Sequence, residues 1–198
     1  MIIDTHAHIN FKAFNDDAHK IIHKSLDENT WMILVGSDNK TSKRALELAN
    51  RYERGVYVAV GLHPIHVDDE FFSYDIYEKL AQFDKTVAVG EIGLDYYHIN
   101  KEQDIVSVKR KQKDLFLNQL KLARSMNLPA IIHCRQAHDD MIEILEDFKK
   151  ENKNLFPDVR SWGVMHCFSG DENLAWKYFS LGLIISFTGI ITFSRQWD

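Results

Sequence analysis

Seven short apolar runs, each followed by a stretch patterned for helix, constrain this chain more than any other feature of it. They are residues 2–6, 31–36 (WMILVG), 56–61 (VYVAVG), 86–91 (TVAVGE), 130–133, 163–166 and 183–187. Strands that are apolar on both faces and alternate with helices indicate a parallel sheet. Between them, Met141, Ile144, Leu145 and Phe148 fall at i, i+3, i+4 and i+7, one face of a helix. Asp139 and Asp140 open that helix and Lys149 and Lys150 close it, as the helix dipole prefers. Phe116, Leu120 and Ala123 mark another helix, ended by Asn127 ahead of Leu128-Pro129. So many βα units favour a closed barrel over an open doubly wound sheet. No GxGxxG or GxxxxGK[ST] stretch is present, which removes the usual nucleotide-binding readings. The expected fold is α/β, a (β/α)8 TIM-type barrel forming one domain over residues 1–198. Eight such units take about 250 residues, so the barrel is expected to stop before its eighth strand. Open sheet edges would then lie at strands one and seven.

In such a barrel, catalytic residues stand at the C-terminal ends of the strands. Asp4-Thr5-His6-Ala7-His8 is the strongest local signal. Strand alternation points His6 and His8 to one side, where two imidazoles can ligate one metal ion. An inert, hydrogen-bonded pair at a strand end is the other reading of that motif alone. Glu91, His133 and His166 end the fourth, fifth and sixth strands. Four histidines and one glutamate at the same end of four strands point to a metal centre. Glu91 is the carboxylate suited to bridging two cations, with a single-metal site as the alternative. Asp4, two residues before His6, is expected on the same interior face, either orienting a ligand or hydrogen-bonded in the core.

The blocks DTHAHI, GLHP, VGEIGLDYY, IIHCRQA and HCFSG, spread over residues 4–170, resemble the signature blocks of the TatD family of amidohydrolase-like barrels. That resemblance implies a metal-dependent hydrolase, a deoxyribonuclease of 3′-to-5′ exonuclease character working by metal-activated water. It implies that His6, His8 and Glu91 hold one divalent ion and Glu91, His133 and His166 a second. The candidates are Zn, Mn, Co, Ni or Mg. It places His63, in Gly61-Leu62-His63-Pro64, near the mouth of the site against substrate phosphate; a loop histidine packed on Pro64 is the alternative. It also implies a metal-ligating aspartate at the end of strand eight, which no residue here matches; Asp198 does not substitute for it.

Arg135, two residues past His133, is expected nearer the opening, gripping phosphate or a structural carboxylate. Glu91, His63 and Arg135 are thus the residues expected to act on substrate. Asp95 either orients a ligand or forms a turn. Tyr96 and Tyr97 either stack on a base or lie on the surface. His138 either caps a helix or touches substrate. Cys134 and Cys167 each follow a ligand histidine and should point outward to the helices as buried free thiols. The run of Lys101, Lys109, Arg110, Lys111 and Lys113 either guides nucleic acid or forms a solvated helix face. A net charge of −5 argues against holding nucleic acid mainly by a basic surface. It leaves DNA, RNA or an aminoacyl-RNA as a substrate met by bound cations. No signal segment or membrane-length apolar run is present, so a cytoplasmic location is expected. Two other functions fit the same residues: hydrolysis of C–N or ester bonds, and an inactive metal-binding fragment.

Overall fold

The structure, a computed structural model, describes residues 1–100, 102–152 and 161–192. Seven strands form one parallel sheet in chain order: β1 (Ile2–Ala7), β2 (Thr30–Val35), β3 (Val56–Val60), β4 (Thr86–Asp95), β5 (Ala130–Arg135), β6 (Gly163–Met165) and β7 (Leu183–Ile185). The intervening helices are α1 (Ala18–Asp27), α2 (Asn39–Ala49), α3 (Tyr74–Ala81), α4 (Ile105–Ser125), α5 (His138–Glu151) and α6 (Glu172–Ser180). The sheet curls like a TIM-type barrel. His6 at the end of β1 and His166 just past β6 stack with ring centroids 3.4 Å apart, although four strands lie between. Among the described residues β1 and β7 are its edges.

Strand alternation produces two cores. Val35, Ala59, Ala88 and Ile131, backed by Ile33 and Val164, fill the cylinder. Leu34, Val58, Val60, Ile92 and Ile132 face the helices in the larger core. Each is fully buried, stabilising the fold by about 1.5–3 kcal/mol per side chain. The α5 pattern reads as expected, with Met141, Leu145 and Phe148 buried, acidic residues in its first turn and Lys149 and Lys150 in its last. Asp38, Asp104 and Asp171 each accept backbone N–H groups at the starts of α2, α4 and α6, satisfying donors that a helix leaves open at that end.

Two strands depart from regular alternation where the chemistry lies. In β1, Asp4 pairs with Met32 and Ala7 with Leu34, three residues against two. In β4, Val89 pairs with Ala130 and Ile92 with Ile132, again three against two. One extra residue reverses which face the following side chains take. This corrects the expectation for Asp4. It does not share the inner face with His6; it is exposed, and its Oδ1 accepts the His6 amide at 3.0 Å. In β4 the bulge carries Glu91 itself. That strand also runs to Asp95, beyond the expected end at 91, because Ile92–Asp95 pairs with Ile132–Arg135.

Close approach makes that extension possible. Gly93 has φ +144°, and a Cβ there would stand 2.0 Å from the carbonyl oxygen of His133. Glycine alone adopts that geometry without a clash. From the outside, α4 holds two strand ends. Gln112 and Gln119, two turns apart on the face that buries Phe116, are 2% and 0% exposed. Gln119 accepts the Leu62 N–H at 2.7 Å and donates to the Leu62 carbonyl at 2.8 Å. Gln112 does the same to Asp95 at 2.9 and 3.0 Å. Each glutamine satisfies a buried backbone donor and acceptor together, and fixes the residue beside His63 or beside the β4 mouth.

Candidate metal centre

Glu91, 5% exposed, is the hub, and its two oxygens serve different histidines. Oε1 lies 3.0 Å from His133 Nδ1 and 3.7 Å from His63 Nε2. Oε2 lies 3.1 Å from His6 Nε2 and 3.8 Å from His8 Nε2. Burial alone would raise the carboxyl pKa. The hydrogen bonds from His133 and His6 outweigh it and hold the group well below the usual range. Glu91 is therefore an anion among imidazoles.

The partners of the outer ring nitrogens set the proton positions. His8 Nδ1 lies 3.1 Å from the Val35 carbonyl, an acceptor only, so that nitrogen carries the proton and Nε2 offers a lone pair inward. His133 Nε2 lies 3.0 Å from Asp95 Oδ2, which leaves Nδ1 to face Glu91. His63 is the reverse case. The Ile65 N–H donates to its Nδ1 at 3.3 Å, so the neutral ring points an Nε2–H at the centre. Burial lowers the His63 and His166 pKa values to about 3, and both rings are neutral at pH 7. For His133, burial is overcome by hydrogen bonds to Asp95 and Glu91, which lift it to about 9.

Two triads bring one ligand atom each within 4.8 Å of one another: His6, Glu91 and His166, and His63, Glu91 and His133. The expected set of His6, His8 and Glu91 is as compact, with His6 Nε2 3.1 Å from His8 Nε2. The second grouping differs from the expected one by holding His63 in place of His166. The donor set fits divalent cations. Imidazoles and one carboxylate converge, the outer nitrogens of His8 and His133 are bonded as in carboxylate- or carbonyl-supported metal ligands, and His6 Nδ1 is buried with no partner among the described residues.

Asp95 has both roles considered for it. Its Oδ2 meets His133, and its Oδ1 accepts the His98 N–H at 3.0 Å in a turn. Arg135 is exposed, has no carboxylate partner among the described residues, and stacks its guanidinium 4.0 Å from the Tyr97 ring centroid. Tyr96 is occupied, its hydroxyl on Asp140 at 2.5 Å and Lys109 over its ring at 4.2 Å. His138 neither caps α5 nor faces the centre; its Nδ1 meets the Tyr178 hydroxyl at 2.8 Å in the helix layer. Cys134 is buried there too, with its thiol pKa pushed up to about 12 by burial. Cys167 corrects the expectation. β6 ends at Met165, so strand alternation does not reach it; it is half-buried at φ +49°, its Sγ 3.1 Å from the Thr188 hydroxyl. Of the basic run, Lys111 and Lys113 pair with Asp68 and Asp140. Lys101 and Asp198 lie outside the described residues. Sequence reasoning missed His98, Gln112 and Gln119. The glutamines were findable, since they fall seven residues apart on an apolar helix face.

The sequence profile described as TatD-related DNase matches residues 3–198. An uncharacterized metal-dependent hydrolase of Bacillus subtilis, YabD, is 35% identical over 98% of this chain and 71% of its own length. The 3′-5′ ssDNA/RNA exonuclease TatD of Pantoea ananatis is 28% identical over 98% of this chain and 70% of its own. The crystal structure of the TatD homologue YjjV from Escherichia coli superimposes with a TM-score of 0.79 at 31% identity, covering 98% of this chain and 70% of that one.

Proposed function

The chain belongs to the TatD-related DNase family and is a metal-dependent hydrolase of that family; we propose that the bond it cleaves is a phosphodiester of DNA, taken from a strand end in the 3′-to-5′ direction. One observation carries this reading: each oxygen of Glu91 faces its own pair of histidines. A carboxylate so divided suits two cations a few ångströms apart. His6, His8 and His166 would hold one with Glu91, and His133 the other. A histidine-rich set favours Zn, Mn, Co or Ni over Mg, which prefers oxygen donors. Bound there, the ions supply Lewis-acid charge for the phosphoryl and leaving oxygens and for the attacking water.

The chain's own groups complete the site. The Val35 carbonyl and the Asp95 carboxylate take the outer N–H of His8 and His133, so the inward nitrogen of each is the one that would bind an ion, His133 giving up its inner proton to do so. Neutral His63 presents its Nε2–H to a non-bridging phosphoryl oxygen, and charge builds on that oxygen in the transition state. Arg135 gives phosphate a planar cation with paired donors. The test is digestion of single-stranded oligonucleotides, labelled at the 5′ or the 3′ end, by the metal-loaded protein, beside an aminoacyl ester of RNA. Early release of single nucleotides from the 3′ end supports the reading. Turnover of the ester alone would remove it in favour of C–N or ester hydrolysis.

A further inference from the structure

We infer that Tyr97 and Arg135 form a seat for one nucleotide beside the cleaved bond, and that this seat selects single-stranded over paired nucleic acid. The inference rests on the phosphodiester reading and adds where the chain beyond the reacting phosphate is held.

Arg135 lies two residues past His133 on the same strand face, about 7 Å nearer the mouth at the usual rise of a strand. Its guanidinium carbon lies over the Tyr97 ring, 4.0 Å from the ring centroid, with no carboxylate to neutralise it among the described residues. Tyr97 is 53% exposed. Its flank is braced by the edge of His98, ring centroids 4.9 Å apart at 88°. His98 Nδ1 is held by Asp95 Oδ2 at 2.8 Å, and the same oxygen holds His133. The exposed ring is therefore tied, through a buried carboxylate, to a candidate ligand. Tyr96 next to it has its ring and hydroxyl already engaged.

A planar cation stacked on an aromatic ring has its N–H edge free for phosphate, while the ring's open surface takes a base. A base inside a duplex has both faces stacked already and is not available to it. With a net charge of −5, the protein surface at large repels a polyanion, so the grip falls to local features such as this one.

Binding is measured by fluorescence anisotropy with the metal-loaded protein and a labelled single-stranded octamer carrying phosphorothioate linkages at its 3′ end. Tyr97→Leu is expected to weaken binding by about tenfold, within the range for one stacked base, and Tyr97→Phe by no more than about twofold. Deleting the base next to the terminal one should weaken wild-type binding to a similar extent, and Tyr97→Leu should then add little. In steady-state digestion the same variant raises KM more than it lowers kcat. Equal binding of intact and abasic octamers by wild type and Tyr97→Leu overturns the seat, as does a blunt duplex bound as tightly as the single strand. A wild type that digests single strands while Tyr97→Leu keeps its KM sinks only the seat. A wild type that neither binds nor digests them removes the phosphodiester reading with it.

Discussion

His133 and His6 sit almost equally close to Glu91, at 3.0 and 3.1 Å, yet their surroundings differ. His133 lies on an inner strand and has both nitrogens bonded, one to Glu91 and one to Asp95. Asp95 is itself held through its backbone by Gln112. His6 lies on an edge strand whose first four residues are exposed, and its Nδ1 has no partner among the described residues. The first side is held in place by hydrogen bonds at both ring nitrogens; the second lacks that outer support. Under the two-cation proposal, this difference in preorganisation predicts two unequal affinities.

Substitution of the shared residue should abolish the distinction. Glu91→Gln is expected to lower both metal content and hydrolysis by roughly 100-fold or more, at or above the upper end for residues that merely support a ligand. Metal analysis by plasma emission and a turnover assay check it, and full loading at normal rate would take Glu91 out of the ligand set. Asp95→Asn should sharpen the contrast. It removes the anion from the outer nitrogen of His133 and should weaken one of two ions by about 10–100-fold, visible as a split in a titration by isothermal calorimetry. A uniform weakening of both ions would show the two sides to be equivalent.

A smaller effect is expected one layer out. Gln119→Leu strips the partners from a buried N–H and a buried carbonyl at Leu62, each worth about 1–3 kcal/mol. A loss of about 2–4 kcal/mol in urea unfolding should follow, with slower turnover as His63 loses its position and little change in metal content. The last effect is a pH dependence of the metal-free protein. His63 and His166, with pKa values lowered from 6.5 to about 3 by burial, refuse protons that the unfolded chain accepts. Stability is therefore lost as pH falls from 6.5 towards 3. His133, raised from 6.5 to about 9, has the opposite sign: its contribution is complete below 6.5 and lost as pH rises through 9. The urea midpoint should peak near pH 6.5 without metal, and added Zn should remove the decline on the alkaline side, because a liganded His133 must already be neutral.

The barrel was legible because buried strands and amphipathic helices write their periods into the sequence, and so was the gathering of histidines at strand ends, which needs only strand counting. Asp4 was misread because a bulge is one extra residue with no mark of its own in the sequence. The setting of His63 was only half legible: the GLHP block suggested a place near the mouth, but the direction of its proton depends on the Ile65 amide. Tyr97 and Tyr96 are adjacent and chemically identical in sequence, and only their neighbours separate the exposed ring beside Arg135 from the one whose hydroxyl is engaged by Asp140.

Gly93 bears on how this site can change over time. A Cβ there would reach to 2.0 Å from the His133 carbonyl oxygen, so the β4–β5 contact at this position has no room for any side chain. A saturation library at this codon should return glycine alone among active clones. Positions such as Tyr97, at the rim, remain open to drift, so selection can retune what the enzyme accepts while the spacing of its reactive centre stays locked.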